Sequence, residues 1–440
     1  MSDLPQGWVL GALEDVADVR LGRQRSPKNH SGSRMRPYAR AANVTWDGFD
    51  LSDVKGMNFT EAESQIYELR PGDVLVAEAS GSASEVGKPA IWRGEIDGCC
   101  FQNTLIRVRS RGVLPEYLRY FLFSEARSGR IGEASPGVGI HHIGATRLSA
   151  WPVPLAPLNE QRRIVAAIEE QLSRLAAADA FLAAALLRLS ALEGSSLHLL
   201  IEESDAPTEP VSALAQFVTD GDHNPPKRFP VGVPHLTAKN VKGGKLVVDG
   251  ATFVSDEGFE QTRQRYEPRE GDVIVTCVGT IGQTAVVPPG LVFSADRNLA
   301  AIRPLDRVDP AYLRLALTAP QVQRLMANAS GSTAQPHLYL RDLRSLEVPV
   351  PPLEEQRRIV ARVEEQLSAV EALRIGIERA QRRSATLRRA VLERAFKGKL
   401  VSQDPRDEPA ATLLARIRAE RSVAALGSRP LDGLGGRVHQ

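Results

Sequence analysis

The chain has 440 residues, of which 42% are hydrophobic and 25% charged, and its formal net charge at pH 7 is +2. This length predicts about two to four structural units, and the near neutrality means that any affinity for nucleic acid must come from local basic patches. Three cysteines without CxxC spacing argue against a disulfide framework or a zinc site and favour a cytoplasmic protein, and no stretch reads as a signal peptide or a membrane span, so we expect no membrane partner.

Residues 1–154 are predicted to form a first domain of short strands and turns, in which apolar runs alternate with glycine and proline. Within it, the stretch from Val19 to Trp46 contains no acidic residue. Lysine and arginine displace counterions at DNA phosphates, and arginine, asparagine and histidine can contact base edges. The candidate DNA-binding residues here are Arg20, Arg23, Arg25, Lys28, Arg34, Arg36, Arg40 and Asn43.

A long helix is predicted next, within residues 155–200. Pro157 fits its first turn, where the missing N–H would have no intrahelical partner, and acidic residues follow it. No proline interrupts the following stretch, so the helix could last about 40 residues and span roughly 60 Å. Its apolar residues recur three, four or seven positions apart and predict a seam formed by Ile164, Ile168, Leu172, Leu175, Leu182 and Leu186.

Residues 201–350 are predicted to form a linker and a second domain that repeats the first one faintly. Tyr67 to Val76 is matched by Tyr266 to Val275, and the stretch from Asn224 to Val248 again lacks any acidic residue. A solvated basic face is the usual explanation of one such run, but its occurrence at equivalent places in both domains favours DNA binding. The candidates here are His223, Asn224, Lys227, Arg228, Lys239, Asn240, Lys242 and Lys245.

A second long helix is predicted within residues 351–400, and it begins with a near copy of the first. Residues 157–173 recur as residues 352–368, 195 positions later, with fourteen of seventeen identical. The predicted seam of this helix contains Val363, Val370, Leu373 and Ile377. Residues 401–440 are predicted to form a short helix and a tail.

The order of these elements predicts how the two helices pair. A domain of about 150 residues is roughly 40 Å across, too little to bridge a parallel pair of helices about 60 Å long. We therefore expect an antiparallel coiled coil in an α+β protein of two similar domains and two long helices, related by a pseudo-twofold axis.

No stretch carries a convincing catalytic site. The Asn-Pro-Pro run at Asn224 is followed by Lys227, whereas an amino-methyltransferase places an aromatic there to stack on the flipped base. No glycine-rich cofactor loop accompanies it, and the stretch from Glu85 to Lys88 is too long for the Glu-x-Lys arm of a nuclease. We assign no catalytic residue, metal ligand or cofactor to this chain.

Several motifs carry a family resemblance. They are the repeated Pro-Leu-x-Glu-Gln-Arg-Arg-Ile-Val beginning at Pro157 and Pro352, Leu4-Pro5-Gln6-Gly7-Trp8, the stretches 78–82 and 101–104, Asp220-Gly221-Asp222-His223, and Gly398-Lys399-Leu400-Val401 with Asp404-Pro405. In these motifs the chain resembles the specificity subunit of type I restriction-modification enzymes.

The resemblance implies two target-recognition domains, each reading one half of a bipartite, asymmetric site in double-stranded DNA. It also implies that the helices fix the gap between the halves and dock two methylation subunits, with restriction subunits joining the complex. S-adenosylmethionine, ATP and Mg²⁺ would then be used by those partners. Two alternatives stay open: a structural adaptor with two protein-binding domains on a coiled-coil rod, which would ignore duplex DNA, and a self-contained modification enzyme, which would bind a cofactor itself.

Overall fold

The computed structural model describes residues 4–135, 141–202, 206–224, 226–330 and 336–427, and their side chains except at 191–202 and 424–427. The chain divides into two compact units, the first formed by Met1–Ala180 with Ala380–Gln440 and the second by Phe181–Arg379. Within these ranges, no helix combines the length and the apolar character needed to cross a bilayer.

The first domain alternates short strands and helices. Its strands are β1 (Val9–Ala12), β2 (Ala17–Leu21), β3 (Met35–Ala39), β4 (Val44–Thr45), β5 (Gly48–Phe49), β6 (Lys55–Asn58), β7 (Val74–Ala77), β8 (Ala79–Ser80), β9 (Pro89–Ile91), β10 (Cys100–Phe101), β11 (Leu105–Ser110), β12 (His141–His142) and β13 (Pro152–Leu155). Its helices are α1 (Leu13–Val16), α2 (Glu61–Tyr67), α3 (Pro115–Arg127), α4 (Arg130–Glu133) and α5 (Ala145–Ser149), followed by the long helix α6 (Leu158–Glu202).

The second domain repeats this order. Its strands are β14 (Thr208–Pro210), β15 (Ala215–Asp220), β16 (Val233–Leu236), β17 (Val241–Lys242), β18 (Lys245–Leu246), β19 (Thr252–Val254), β20 (Val273–Thr276), β21 (Thr284–Val286), β22 (Ser294–Ala295), β23 (Leu299–Pro304) and β24 (Glu347–Pro349). Its helices are α7 (Val211–Leu214), α8 (Asp256–Arg263), α9 (Pro310–Thr318), α10 (Pro320–Ala329) and α11 (Leu340–Arg344), followed by the long helix α12 (Leu353–Phe396) and by α13 (Ala410–Gly427).

Each domain is built around an antiparallel sheet of four strands. The strand order is β2-β11-β7-β9 in the first domain and β15-β23-β20-β21 in the second. Each domain also has a three-stranded sheet, β10-β3-β6 in the first and β19-β16-β22 in the second, in which β3 and β16 are central. The matching order confirms the expectation of an α+β protein with two similar domains.

The repeated motif at the start of each long helix fixes that helix to its domain. Gln161 is completely buried; its Nε2 donates to the carbonyl of Ala156 at 2.9 Å and its Oε1 accepts from the N–H of Leu114 at 3.1 Å. Gln356 is equally buried and makes the corresponding pair of bonds in the second domain, to the Pro351 carbonyl and the Asp309 N–H, each at 2.8 Å. Buried polar groups require such partners, so the near identity of the two motifs follows from a shared packing role.

The two long helices run antiparallel where they meet in the first unit. Arg163, early in α6, binds Asp407, which follows the end of α12, at 2.6 Å. Further along α6, Asp179 binds Arg388 within α12 at 2.7 Å. Residue numbers therefore increase along α6 while those of its partners in and after α12 decrease, so the two helices are antiparallel here. This agrees with the predicted direction of the pair.

The predicted seams are buried most deeply near the domains. Ile164 and Ile168 are fully buried and Val363 nearly so. Partial burial is found for Leu172, Leu175, Leu182, Leu186, Val370 and Ile377. Leu373 was wrongly placed in the seam, because its side chain is 56% exposed. Ten residues at 100° each rotate Leu373 about 80° away from Val363, which takes it off the covered side of α12.

The C-terminal helix α13 completes the core of the first domain. Leu413, Leu414 and Ile417 are buried in the same apolar cluster as Leu13 of α1. Arg418 forms a bidentate ion pair with Asp15, at 2.8 and 3.0 Å. The predicted tail at 428–440 lies outside the described residues.

Candidate nucleic-acid interface

Four of the predicted basic residues of the first domain project into solvent. Arg20 is exposed on β2, and Arg25 and Lys28 lie in the following loop, where Arg25 Nε donates to His30 Nε2 at 3.0 Å. Arg34 is also exposed, and its guanidinium lies 3.7 Å from the carboxylate of Glu61. Such a separation at the surface contributes little binding energy, so the charge of Arg34 is available to a ligand.

Two further arginines, Arg36 and Arg40, are held by neighbouring carboxylates. Arg36 binds Glu68 at 2.9 Å and Arg40 binds Asp53 at 2.5 Å. Part of their positive charge is therefore neutralised within the domain. About 30% of each side chain remains exposed.

Arg23 was predicted to bind DNA, but the structure places its side chain inside the domain. Its side chain is only 11% exposed, pairs with Glu63 at 2.7 Å and donates to the Asn58 carbonyl at 2.5 Å. The guanidinium also lies 4.9 Å from the centre of the Phe59 ring. Because these contacts use the donors of the guanidinium internally, Arg23 stabilises the fold and is not placed to bind a phosphate.

Asn43 and Asn240 are also corrections. Their exposed fractions are 2% and 5%, so neither can reach a base. Asn43 Oδ1 accepts from the Arg40 N–H at 3.1 Å, and Asn240 Oδ1 accepts from the Thr237 N–H at 3.0 Å. Both side chains therefore hold the same short 3₁₀ turn, in one domain each, and this packing role explains why both copies have asparagine there.

The lysines of the second domain are exposed at Lys227, Lys239, Lys242 and Lys245. Across the described part of the chain, none of the four lies within ion-pair distance of a carboxylate. Lys242 and Lys245 are direct partners in the β17–β18 ladder. Like charges opposite each other are mutually repulsive, and a bound anion would relieve that repulsion.

The remaining candidates of the second domain, His223, Asn224 and Arg228, lie near acidic residues. His223 is exposed, and its Nε2 lies 2.9 Å from Asp220 Oδ2. The side chain of Asn224 is exposed, while its backbone N–H donates to Asp222. Burial lowers the pKa of Arg228, which is partly exposed and whose charge is favoured by Asp296.

Polar segments meet at one end of the four-stranded sheet in the first domain. The N–H of Glu78 donates to Thr104 at 2.9 Å, and the N–H of Asn103 donates to Arg23 at 3.0 Å. His142 Nδ1 lies 3.0 Å from Glu78 Oε2. We call this end the first loop edge, formed by residues 22–24, 78–82, 102–104 and 141–142.

The second domain has a corresponding end of its four-stranded sheet. We call it the second loop edge, formed by residues 220–224, 277–280, 296–298 and 336–339. The N–H of Cys277 donates to Asn298 at 2.8 Å, and that of Leu338 donates to Cys277 at 2.9 Å. A cleft of about 340 Å³ opens here, lined by Asp220, His223, Val278, Arg297, Asn298 and His337.

A glycine permits the close backbone approach at each loop edge. A Cβ atom added at Gly22 would lie 2.2 Å from the carbonyl oxygen of Gln102, and one added at Gly221 would lie 2.4 Å from that of Asp296. Both contacts are too short for any side chain. The two loop edges thus have the same backbone arrangement, although their side chains differ.

We did not predict from the sequence that Arg297, Asn298 and His337 are binding residues. Arg297 follows an acidic residue, so a search for acid-free stretches passes over it. The available signal was the position of the stretch 101–104 and its counterpart, just before a strand of the central sheet.

Among the described residues, no group of three or more His, Cys, Asp or Glu side chains could hold a metal ion. The three cysteines are buried and unpaired. Burial raises the pKa of the Cys100 thiol to about 12, which disfavours the reactive thiolate.

Comparisons with known proteins give one family. The model of the type I restriction modification DNA specificity domain matches residues 5–176 and again 227–383. The chain is 25% identical to the type I restriction enzyme EcoKI specificity subunit of Escherichia coli K12, covering 96% of this chain and 97% of that protein. It is 23% identical to the StySPI specificity subunit of Salmonella potsdam, with the same coverage of each chain.

Solved structures share the fold. The HsdS subunit of Thermoanaerobacter tengcongensis is 22% identical and superposes with a TM-score of 0.59, covering 90% of this chain and 98% of that one. A chain from a structure on complex assembly and conformational transition of the type I R-M system is also 22% identical, with a TM-score of 0.71 over 91% of this chain and 100% of that one.

Proposed function

The chain belongs to the type I restriction-modification DNA specificity family and is a specificity subunit of such a system, and from this premise we propose that it selects DNA without catalysing a reaction. Each domain reads one half of a bipartite, asymmetric site in double-stranded DNA through its loop edge and neighbouring basic loops. The length of the two long helices sets the gap between the halves.

The observation that carries this proposal is the pair of loop edges. Each is built on a four-stranded sheet of the same strand order and contains the same close backbone approach at a glycine, yet the side chains of the two loop edges differ. A DNA-binding protein reads sequence through side chains that contact base edges, while its contacts with the DNA backbone only position it. Two domains with the same frame and different polar side chains are therefore suited to recognise two different base sequences.

The proposed partners carry the chemistry. Two methylation subunits dock on the long helices and transfer methyl groups from S-adenosylmethionine, and restriction subunits use ATP and Mg²⁺. The complex acts in the cytoplasm. The contacts with DNA phosphates come from Arg20, Arg25, Lys28, Arg34, Arg36, Arg40, Lys227, Arg228, Lys239, Lys242 and Lys245, with His223 and Asn224 beside the second loop edge.

The test is to sequence methylated bases in DNA from a host that expresses this chain with its cognate methylation subunit. A host lacking only this chain is the control. We expect a split motif that depends on the chain, and replacement of residues 206–350 with those of another specificity subunit should change one half alone.

The same sequencing tests the role of the helices. Removing seven residues from both helices preserves their facing sides and should change the gap. A motif that is independent of the chain would contradict the proposal and favour the structural adaptor, and an unchanged gap would contradict the role of the helices in spacing.

A further inference from the structure

Each loop edge contains a tight turn that leads into a strand of the four-stranded sheet, β11 in the first domain and β23 in the second. In the first domain, the N–H of Leu105 donates to the carbonyl of Gln102 at 2.9 Å. In the second domain, the N–H of Leu299 donates to Asp296, also at 2.9 Å. The first central residue of the turn is Asn103 in one domain and Arg297 in the other.

The backbone contacts show that these two positions are equivalent. The residue before each position donates its N–H to the last residue of the central strand in the three-stranded sheet. Gln102 donates to the carbonyl of Ala39 at the end of β3, and Asp296 donates to that of Leu236 at the end of β16. The carbonyl of the residue after each position also accepts a hydrogen bond. That of Thr104 accepts from the N–H of Glu78, which follows β7, and that of Asn298 accepts from the N–H of Cys277, which follows β20. Asn103 and Arg297 therefore occupy one site of a duplicated frame.

The side chains at these positions are not used by the fold. Throughout the described ranges, neither the amide of Asn103 nor the guanidinium of Arg297 has a hydrogen-bond or ion-pair partner. Their neighbours are engaged: Thr104 Oγ1 accepts from the Ala41 N–H at 3.0 Å, and Asp296 Oδ1 accepts from the Asn298 N–H at 2.9 Å. The turn is thus stabilised by adjacent residues, and the central side chain is left for a ligand.

We propose that Asn103 and Arg297 are the equivalent base-reading residues of the two domains, with Asn103 contacting an adenine in one half-site and Arg297 a guanine in the other. This inference rests on the proposed function of the loop edges. An asparagine amide offers one donor and one acceptor, which match N7 and the amino group of adenine. A guanidinium offers two parallel donors, which match O6 and N7 of guanine.

The surroundings of Arg297 favour such a contact. Arg297 and His337 line the cleft of the second loop edge together with Asp220. The guanidinium of Arg265 donates to Asp220 at 2.8 Å, so the nearby acid is already engaged by another cation. Arg297 is left with its charge and both parallel donors.

The test uses the methylated-base sequencing of the assembled complex, with R297A, R297K and N103A compared with the parent. We expect R297A and R297K to lose selection of a guanine at one position of one half-site, because lysine keeps the charge but lacks the two parallel donors. N103A should lose selection of an adenine in the other half. The expected loss of discrimination at the affected position is roughly 5- to 150-fold.

The matched control is R269A. Arg269 is 65% exposed and precedes β20, at the opposite end of the large sheet from the second loop edge. This variant should leave both halves of the motif unchanged.

Unchanged motifs in R297A and N103A would overturn the inference, as would loss of methylation at every site in both R297A and R297K. A base-reading residue alters which sites are modified, whereas complete loss indicates a structural role. Failure of the proposed function is distinguishable, because the parent complex would then show no split motif that depends on this chain.

Discussion

Asp73 in the first domain is 1% exposed and receives the guanidinium of Arg109, and in the second domain Asp272 is equally buried and receives Arg303. These residues hold the start of a central strand in both copies. The charges nearer the surface do not correspond: Arg36 and Arg40 are paired with acids, whereas Lys239 and Lys242 form no ion pair within the described residues. Duplication has thus kept the buried frame and allowed the surface chemistry of the two domains to diverge.

The largest expected effect tests whether the frames are equivalent. Asp73→Ala and Asp272→Ala each leave a partly buried guanidinium without its partner, with 24% of the Arg109 side chain and 15% of the Arg303 side chain exposed, so the cost should approach but not exceed the ~3 to 5 kcal/mol of a fully buried pair. Asp272→Ala should be the more damaging, because the buried hydroxyl of Tyr266 also donates to Asp272, at 2.9 Å. Hydrogen exchange of the β7 and β20 amides measures the stability of each domain separately.

A suitable control for these variants is Asp249→Ala, which removes an exposed carboxylate of the second domain. It should change exchange little. Equal and small effects of Asp73→Ala and Asp272→Ala would contradict the view that this ion pair supports both domains.

A smaller effect should separate the surfaces. Replacing both Lys239 and Lys242 by alanine should weaken binding of the assembled complex to duplex DNA and reduce the salt dependence of the binding constant by about 0.9 for each DNA phosphate that is no longer neutralised. Replacing both Arg34 and Arg36 should reduce it less, because Glu68 already neutralises Arg36. The measurement is the slope of log binding constant against log salt concentration.

An equal decrease of slope in the two double variants would show that internal pairing does not reduce the contribution of the first domain. An unchanged slope in both would remove these residues from the interface. Arg269→Ala is again the control, since it lies away from the loop edge.

The smallest expected effect concerns pH and is confined to the first domain. Burial raises the pKa of Glu125, whose counterpart in the second domain, 195 residues later, is Pro320. A carboxyl whose folded pKa is raised favours folding while it is protonated, so its contribution is lost as the pH rises through the folded pKa. Glu125→Gln should therefore flatten the decrease in stability of the first domain as the pH rises above about 4, the usual pKa of a glutamate.

Thermal unfolding of the parent and of Glu125→Gln from pH 4 to pH 8 measures this difference. A parallel pH profile in the two proteins would show that Glu125 does not titrate within this range. The second domain should behave identically in both proteins.

The sequence allowed much of the frame to be predicted. The repeat revealed the duplication, and the apolar spacing placed both long helices, because these signals depend on local chemistry and on identity between copies. The candidate site was predicted less well. Asn43 and Asn240 were predicted to bind DNA because they are polar residues within the acid-free stretches, yet both side chains serve packing. Arg297 was missed because its equivalence to Asn103 depends on backbone contacts between segments far apart in sequence.

The position of α13 has a consequence for how the protein is made. The first domain leaves the ribosome before the second, but its core includes Leu413, Leu414 and Ile417, which are synthesised after the whole second domain. At about 5 to 20 residues per second, the first domain waits on the order of tens of seconds for these side chains. The second domain has no such delay, since its unit ends at Arg379. The domain whose synthesis begins first is therefore completed last, and premature termination would leave it with an uncovered apolar surface.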